Sequence, residues 1–540
     1  TSGALAEVAQ SGKDNDSEIQ QTADADAKVT QSGTNMLGGY SPDAYPNNRS
    51  LITQSGAGAS ADVSQSGTLN RSTVSQTEAA TAGVIQSGTY NNSTVTQTAA
   101  GAEATVNQGG NYGDNLSEIV QSGSSTAVVN QTNVQLDTPA APSNASLITQ
   151  SADGAQAVVN QTGDENTSDI SQAGANHDAF VTQNGVGNAS TITQSGIGGN
   201  GGQNANVAQN GSNGTSTVSQ SGSFANFATV NQTSGSTNAE STVVQSSDYS
   251  IARVTQRGNG AESVVSQTGP NAGGAGNGSH RAVVEQDGDS YSSIDQRAFA
   301  NEAVVSQSGD RNSSVVTQTG SLNDAGLFDG PQPGYQTVAG VTQTGSDHTS
   351  TITQSGQSAA ATVTQTGINQ TSLITQQDDA GGSATVTQSA ADNNSVIEQN
   401  SAGALANVDQ SGVANTSVLT QGRAAGAAFQ TNGQQARITQ GGDNNQSYAI
   451  QSGTSGDLNV NQSGNNNLSS AVQSGFDNSA GDNAGVVGVA QSGDRNDSYV
   501  TQSGQLSTAM VDQVGDDNVA TINQSVNNQP NPAGGPDPAV

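Results

Sequence analysis

The chain is 540 residues long, with 3% aromatic residues, no Trp, no Cys, and a net charge of −33 built from 45 acidic residues against 12 Lys plus Arg. That composition excludes a thick globular core and thiol or disulfide chemistry. It also excludes nucleic-acid and anionic-membrane partners, which select for basic patches, and no apolar run reaches the ~18 residues of a membrane-inserting helix.

In chain order, one two-part unit recurs from Gln10 to Gln524. One half ends Ala-x-Val-x-Gln, as at Ala27/Val29/Gln31, Ala104/Val106/Gln108 and Ala361/Val363/Gln365. The other ends Ser-x-Val/Ile-x-Gln after an Asn-containing turn, as at Asn70/Ser72/Val74/Gln76, Asn188/Ser190/Ile192/Gln194 and Ser350/Ile352/Gln354. The two halves alternate through Gln54, Gln65, Gln76, Gln86, Gln97 and Gln108 without a break. The reading gives about twenty-one coils of roughly 22 residues, a repeat length that signals a solenoid. Disorder, which the polarity alone would allow, does not require Ala or Ser at a fixed offset from Gln.

Within each half the closing Gln and the residues two and four before it share one strand face, because side chains alternate with period two. Ser72, Val74 and Gln76 therefore point inward, and Thr73 and Ser75 outward; the outward places elsewhere hold unrelated residues such as Lys28, Asp62, Phe180, Arg253 and Tyr499. Helix is disfavoured, since apolar residues do not recur at i, i+3, i+4 and Gly is frequent. Gly two residues after Gln, as at Gly56, Gly67 and Gly196, marks a turn with positive φ or close backbone approach. The expected fold is all-β: a two-sheet parallel β-solenoid of stacked strand-turn-strand-turn coils. At ~4.8 Å per coil this makes a rod on the order of 100 Å long. Each inward place becomes a ladder of like residues, Gln over Gln, Ala over Ala, Ser over Ser, and amide ladders satisfy their own polar groups.

The domain reading is one solenoid over 1–525 with inserted turn loops near 34–48, 132–144, 270–279, 321–335, 422–435 and 475–485. A Pro-rich tail over 526–540 is expected to be disordered.

No catalytic constellation, cofactor site or dedicated metal site is expected. His177, His280 and His348 fall in turns or loops and read as solvated turn residues. Asp164, Asp310, Asp443, Asp494 and Asp516 follow turn glycines, but the Gly-Gly-x-Gly-x-Asp calcium repeat is missing; Ca²⁺ is expected at most as a weak, nonspecific counterion.

Gln65, Gly67, Asn70, Ser72 and Gln76 match Gln-x-Gly-x-x-Asn-x-Ala-x-x-x-Gln with Ser for Ala, as do Gln183, Gly185, Asn188, Ser190 and Gln194, and Gln410, Gly412, Asn415, Ser417 and Gln421. On these residues the chain resembles the curlin-repeat family of curli, the bacterial extracellular amyloid fibre, and the resemblance runs from Gln10 to Gln524. The chain departs in its shorter Ala-x3-Gln half, in its larger number of repeats, and in having no recognisable curli-type secretion segment before Leu5. The resemblance implies a secreted structural protein of the cell surface or biofilm matrix that serves adhesion. It also implies the secretion and nucleation proteins of a curli-like system as partners.

The terminal coils, with Val8, Gln10, Ile19 and Gln21 at one end and Val511, Gln513, Ile522 and Gln524 at the other, look like interior coils. Stacking last coil on first is a heterologous contact that does not close, and it gives a head-to-tail homopolymer. The negative charge should oppose stacking, so assembly is expected to be faster at higher ionic strength or lower pH. The alternative is a monomeric surface adhesin with capped ends. An ice-binding solenoid ranks below it, because outward Thr pairs such as Thr351/Thr353 are interrupted by Glu118, Arg253 and Met510.

Overall fold

The computed structural model describes residues 3–33, 47–110, 114–133, 144–196, 201–269, 280–298, 300–322, 324–325, 340–377, 381–422, 433–476, 479–480, 488–505 and 507–526. The expected parallel two-sheet β-solenoid is the fold found, with no helix among the described residues. The Ala halves form the first sheet and the Ser halves the second; within each unit, described strands pair in parallel with the strand one coil further on. Arg71–Gln76, for example, lies in register with Asn92–Gln97, placing Ser72 on Ser93, Val74 on Val95 and Gln76 on Gln97. On the other sheet Ala61, Val63 and Gln65 lie on Ala82, Val84 and Gln86. The chain falls into two compact units, Thr1–Asp289 and Ser290–Val540, and each contains coils of both sheets.

Burial follows the strict alternation of the strands. In Ala189–Gln194, Ser190, Ile192 and Gln194 are buried while Thr191 and Thr193 are exposed. Among the described residues the middle of the interior coils is mostly a dry aliphatic seam of Val and Ile, including Val63, Val84, Ile192, Ile352 and Ile374, each fully buried. The columns admit exceptions: Ala449 and Ala471 stand in the Ile column and Leu458 in the Ala column, and all three are buried.

Two turn types join the sheets. After a first-sheet Gln the chain turns through Gly at positive φ, such as Gly67 at φ 95°, where an added Cβ would also collide with the Gly88 carbonyl. Two residues later comes a second left-handed residue that is usually not Gly, as at Leu69, Tyr90, Asn369 and Asp392. Its backbone N–H bonds back to the preceding coil, as Asn369 N to Ser346 O at 2.9 Å and Asp392 N to Ile368 O at 3.1 Å. Two such residues, Arg311 and Asp347, form a bidentate pair across successive coils at 2.6 and 2.8 Å.

Most residues of the expected insertions, and the tail from 527 onward, lie outside the described residues. Two insertions do not emerge at a turn. Asp324–Ala325 and Val341–Ser346 both pair with the single strand Glu302–Ser308, and Ser479–Ala480 and Val489–Ser492 both pair with Asp457–Ser463. In each case the chain leaves the sheet between the Ala column and the Val column, at the outward place opposite Val304 or Asn459. Departure from an outward place keeps every inward column in step, so the ladders on either side continue.

The alternation gives a paired prediction. Ile192→Asp puts an unpaired charge in the dry seam and should cost at least about 3 kcal/mol of local stability, read as faster amide exchange in the flanking strands Asn166–Gln172 and Thr215–Gln220. Thr193→Asp, one residue on, should leave exchange unchanged.

Candidate functional site: the amide ladders and the terminal coils

The groups that could act are the columns themselves. In the first unit, Gln10 Nε2 donates to Gln31 Oε1 at 2.7 Å, Gln31 to Gln65 at 2.8 Å, Gln65 to Gln86 at 2.7 Å and Gln86 to Gln108 at 2.8 Å. The second-sheet column runs Gln21, Gln54, Gln76, Gln97, Gln121 with bonds of 2.8–2.9 Å. In the second unit Gln318 donates to Gln354, Gln354 to Gln376, and Gln343 to Gln365. Gln194, in the first unit, accepts from Gln172 and donates to Gln220. The remaining amide N–H is spent on backbone: Gln76 Nε2 donates to Ser60 O at 3.0 Å and Ala80 O at 2.9 Å. Apart from Gln10 and Gln21 of the first coil, these amides are buried to within about 2% exposure, and desolvation of an amide is tolerable only with its bonds made.

The bonds all point one way, Nε2 of one coil to Oε1 of the next. Within each unit, each ladder therefore presents amide acceptors toward that unit's N-terminal end and donors toward its C-terminal end. At the first coil Val8 is 48% exposed and Gln10 is exposed, with Ile19 and Gln21 half-buried. At the last, Ile522 and Gln524 are half-buried, while Val511 and Gln513 are 4% and 6% exposed beneath them. The surface offered at that end is thus chiefly the second-sheet strand Val519–Val526.

Asn70 and Asn188 belong to a third ladder at the corner of each coil, six residues before the second-sheet Gln. Asn188 Oδ1 accepts the Gly214 N–H at 2.9 Å, and its Nδ2 donates to Gly211 O at 2.9 Å. Sequence reasoning found this column on the second sheet but missed its counterpart on the first, filled by the buried Ala59, Ala80, Ala102, Ala155 and Ala404. It also missed an outward amide ladder, Asn107 to Asn130 to Asn160, at 2.8 and 2.7 Å. Ser72, Ser190 and Ser350 stack in register with other serines and are buried, as Ala104 and Ala361 are in their own column. Their hydroxyls make no hydrogen bond along the stack. At these places the Ser column is one of size, although Ser263 Oγ donates to Ser241 Oγ at 3.3 Å further along the same column; the Gln and Asn columns are ones of bonding.

The histidines overturn the solvated-turn reading. His177, His280 and His348 are fully buried, each six residues before a closing Gln, His177 and His280 at the first-sheet corner and His348 at the second-sheet corner; His177 and His348 make bonds like those of the corner Asn. The Gln203 backbone N–H donates to His177 Nδ1 at 3.1 Å while Nε2 faces Gly196 O at 3.2 Å. His348 repeats this with Gln370 N at 3.4 Å and Thr344 O at 3.2 Å. Burial holds all three below the ordinary imidazole range, His280 down to about 4. Backbone carbonyls and the neighbouring carboxylates Asp178 and Asp347 oppose the shift at His177 and His348 without reversing it.

The sequence model described as the curlin associated repeat matches residues 163–196, 289–320, 299–327 and 332–356. Ladder residues Gln183, Asn188, Ser190, Gln194, Ser350 and Gln354 lie inside the matched segments. No curated protein matches the chain.

Two predictions follow from the bonding. Gln354→Leu strands the Gln318 donor and the Gln376 acceptor and should cost about 1–3 kcal/mol, measured as a lower urea midpoint or local amide exchange. The histidines remain neutral in the fold, whereas the unfolded chain takes up their protons below pH ~6.5. Stability should thus be full above that pH and fall as pH drops toward 4, by about 3 kcal/mol for His280 alone. His280→Asn should flatten this part of the pH–stability curve.

Proposed function

From the match of four segments to the curlin associated repeat and the solenoid that carries them, we propose that the protein is the structural subunit of a self-assembling extracellular fibre serving adhesion and biofilm matrix. Copies polymerise head to tail by laying the last coil of one on the first coil of the next. The observation that carries this reading is the one-way direction of the ladders. The Gln524 amide at one end is a donor with its stacking side open, and the Gln21 amide at the other is an acceptor in the same column. The backbone edges match likewise, since Val519–Val526 continues the second sheet that begins with Asn15–Gln21. Such a contact repeats without closing. In this reading the secretion and nucleation proteins of a curli-like system are its partners, and no single residue is a catalytic centre.

Net charge opposes the contact. With −33 charges per chain, salt that brings the Debye length below ~10 Å should speed assembly. Acidification acts in two directions, neutralising carboxylates while charging the buried corner histidines, so an optimum above pH 4 is expected. Electron microscopy of purified protein at neutral pH and raised salt, with fibre diffraction, tests the reading. Thin filaments with a 4.7–4.8 Å axial repeat are expected, appearing faster with salt. Discrete single particles persisting at high concentration contradict it.

A further inference from the structure

Charge is distributed unevenly over the outward faces of the solenoid. In the first unit the outward residues of the second sheet include Asp16, Glu18, Arg49, Arg71, Glu118, Asp169, Glu240 and Glu262. In the second unit the same sheet has ten strands, from Tyr291–Gln296 to Val519–Val526, and its outward charges are Asp295 and Asp497 near the two ends and Glu398 between them. Its central outward column reads Val315, Thr351, Leu373, Val396, Val418, Tyr448, one coil apart and in register. Thr, Ser and Asn fill most of the columns on either side. Toward the C-terminal end the face becomes more apolar, with Tyr448 40%, Ile450 44% and Tyr499 39% exposed.

From this we infer that the outer face of the second sheet in the second unit is a lateral docking surface for the same face of a second copy. Three arguments select that occupant. Rows of β-branched side chains repeating at ~4.8 Å interdigitate best with rows of the same repeat, as in a dry zipper between paired sheets, and another copy of this chain supplies that repeat. Area is sufficient: ten strands at ~4.8 Å and six residues at ~3.3 Å span roughly 45 by 18 Å, about 800 Å², one side of a standard stable interface. Lastly, two chains each carrying −33 approach closely only where charge is sparse, and of the described acidic residues of this unit only Asp295, Glu398 and Asp497 lie on the face, the others being in turns or in first-sheet strands. A two-fold, isologous pairing results, distinct from the heterologous end contact, and it holds for filaments and for separate chains alike.

The test places like charge at the centre of the face. Leu373→Glu with Val418→Glu alters two outward places and leaves the inward columns untouched; Thr362→Glu with Asn407→Glu does the same on the first sheet. Leu373→Thr with Val418→Thr places an uncharged β-branched residue at both positions. Filament width at ~0.5 M salt, where screening is strong, is read by electron microscopy, with the axial repeat and circular dichroism as checks on folding. Paired filaments are expected for the parent, the first-sheet control and the Thr variant, and single-width filaments for Leu373→Glu/Val418→Glu. Equal width in all four, equal loss in the control, or a parent that stays single at every salt concentration overturns the proposal. Unchanged width together with lost retention on a polysaccharide matrix assigns the face to that ligand and also overturns it. If the chain forms no filaments, sedimentation velocity reads the same substitutions as dimer against monomer, so lateral pairing and end-to-end growth fail independently.

Discussion

A buried primary amide needs its two donors and its acceptor satisfied, and here the partner for one donor and the acceptor exists only in the neighbouring coil. Everything else follows from that requirement. Gln recurs at a fixed offset because Gln76 without Gln54 and Gln97 would be a desolvated amide with open valences. The strands are parallel and in register because only identical columns place Nε2 within reach of the next Oε1. The aliphatic seam between the Gln columns supplies the hydrophobic part, but Val and Ile alone would tolerate slippage by two residues. The amides fix the register that the seam leaves loose.

Much of this architecture is legible in the sequence because it is written once per strand. Ala or Ser, then Val or Ile, then Gln, at alternating places, gives the strand, its inward face, its neighbours and the two-sheet coil. The first-sheet corner alanines escaped because an Ala just before a strand, such as Ala59 or Ala102, resembles any small turn residue. His177 and His348 escaped because rarity suggested a loop, although they stand at the same offset from Gln as Asn188. The offset, more than the residue type, carried the information: imidazole reproduces the acceptor–donor geometry of a carboxamide. Placement of the insertions was not legible either, since an excursion between Ala325 and Val341 preserves the columns as well as one in a turn.

The two faces of the strands serve different ends. Inward places are nearly invariant and satisfy one another along the stack. Outward places are free to vary, so charge or its absence there reflects what each face meets, and the second sheet differs between the two units in this respect. On the reading proposed above, a protein built from one coil carries two kinds of contact: edges that take a further coil, and a sparsely charged sheet that lies against its own kind. The large negative charge, shared between outward strand places and turns, would on the proposed reading restrain both contacts and make them responsive to salt.

The central claim is that ladders continue from the last coil of one copy into the first coil of the next. Solid-state NMR on filaments grown from a mixture of ¹⁵N-labelled and ¹³C-labelled copies tests it most directly. Backbone contacts between copies, at about 4.8 Å, should be confined to Val519–Val526 against Asn15–Gln21 and the adjoining first-sheet strands. Intermolecular backbone contacts at Ile352 or Val84, each stacked on the same residue of another copy, would contradict the account, because every copy would then be a single layer of the fibre instead of a solenoid within it.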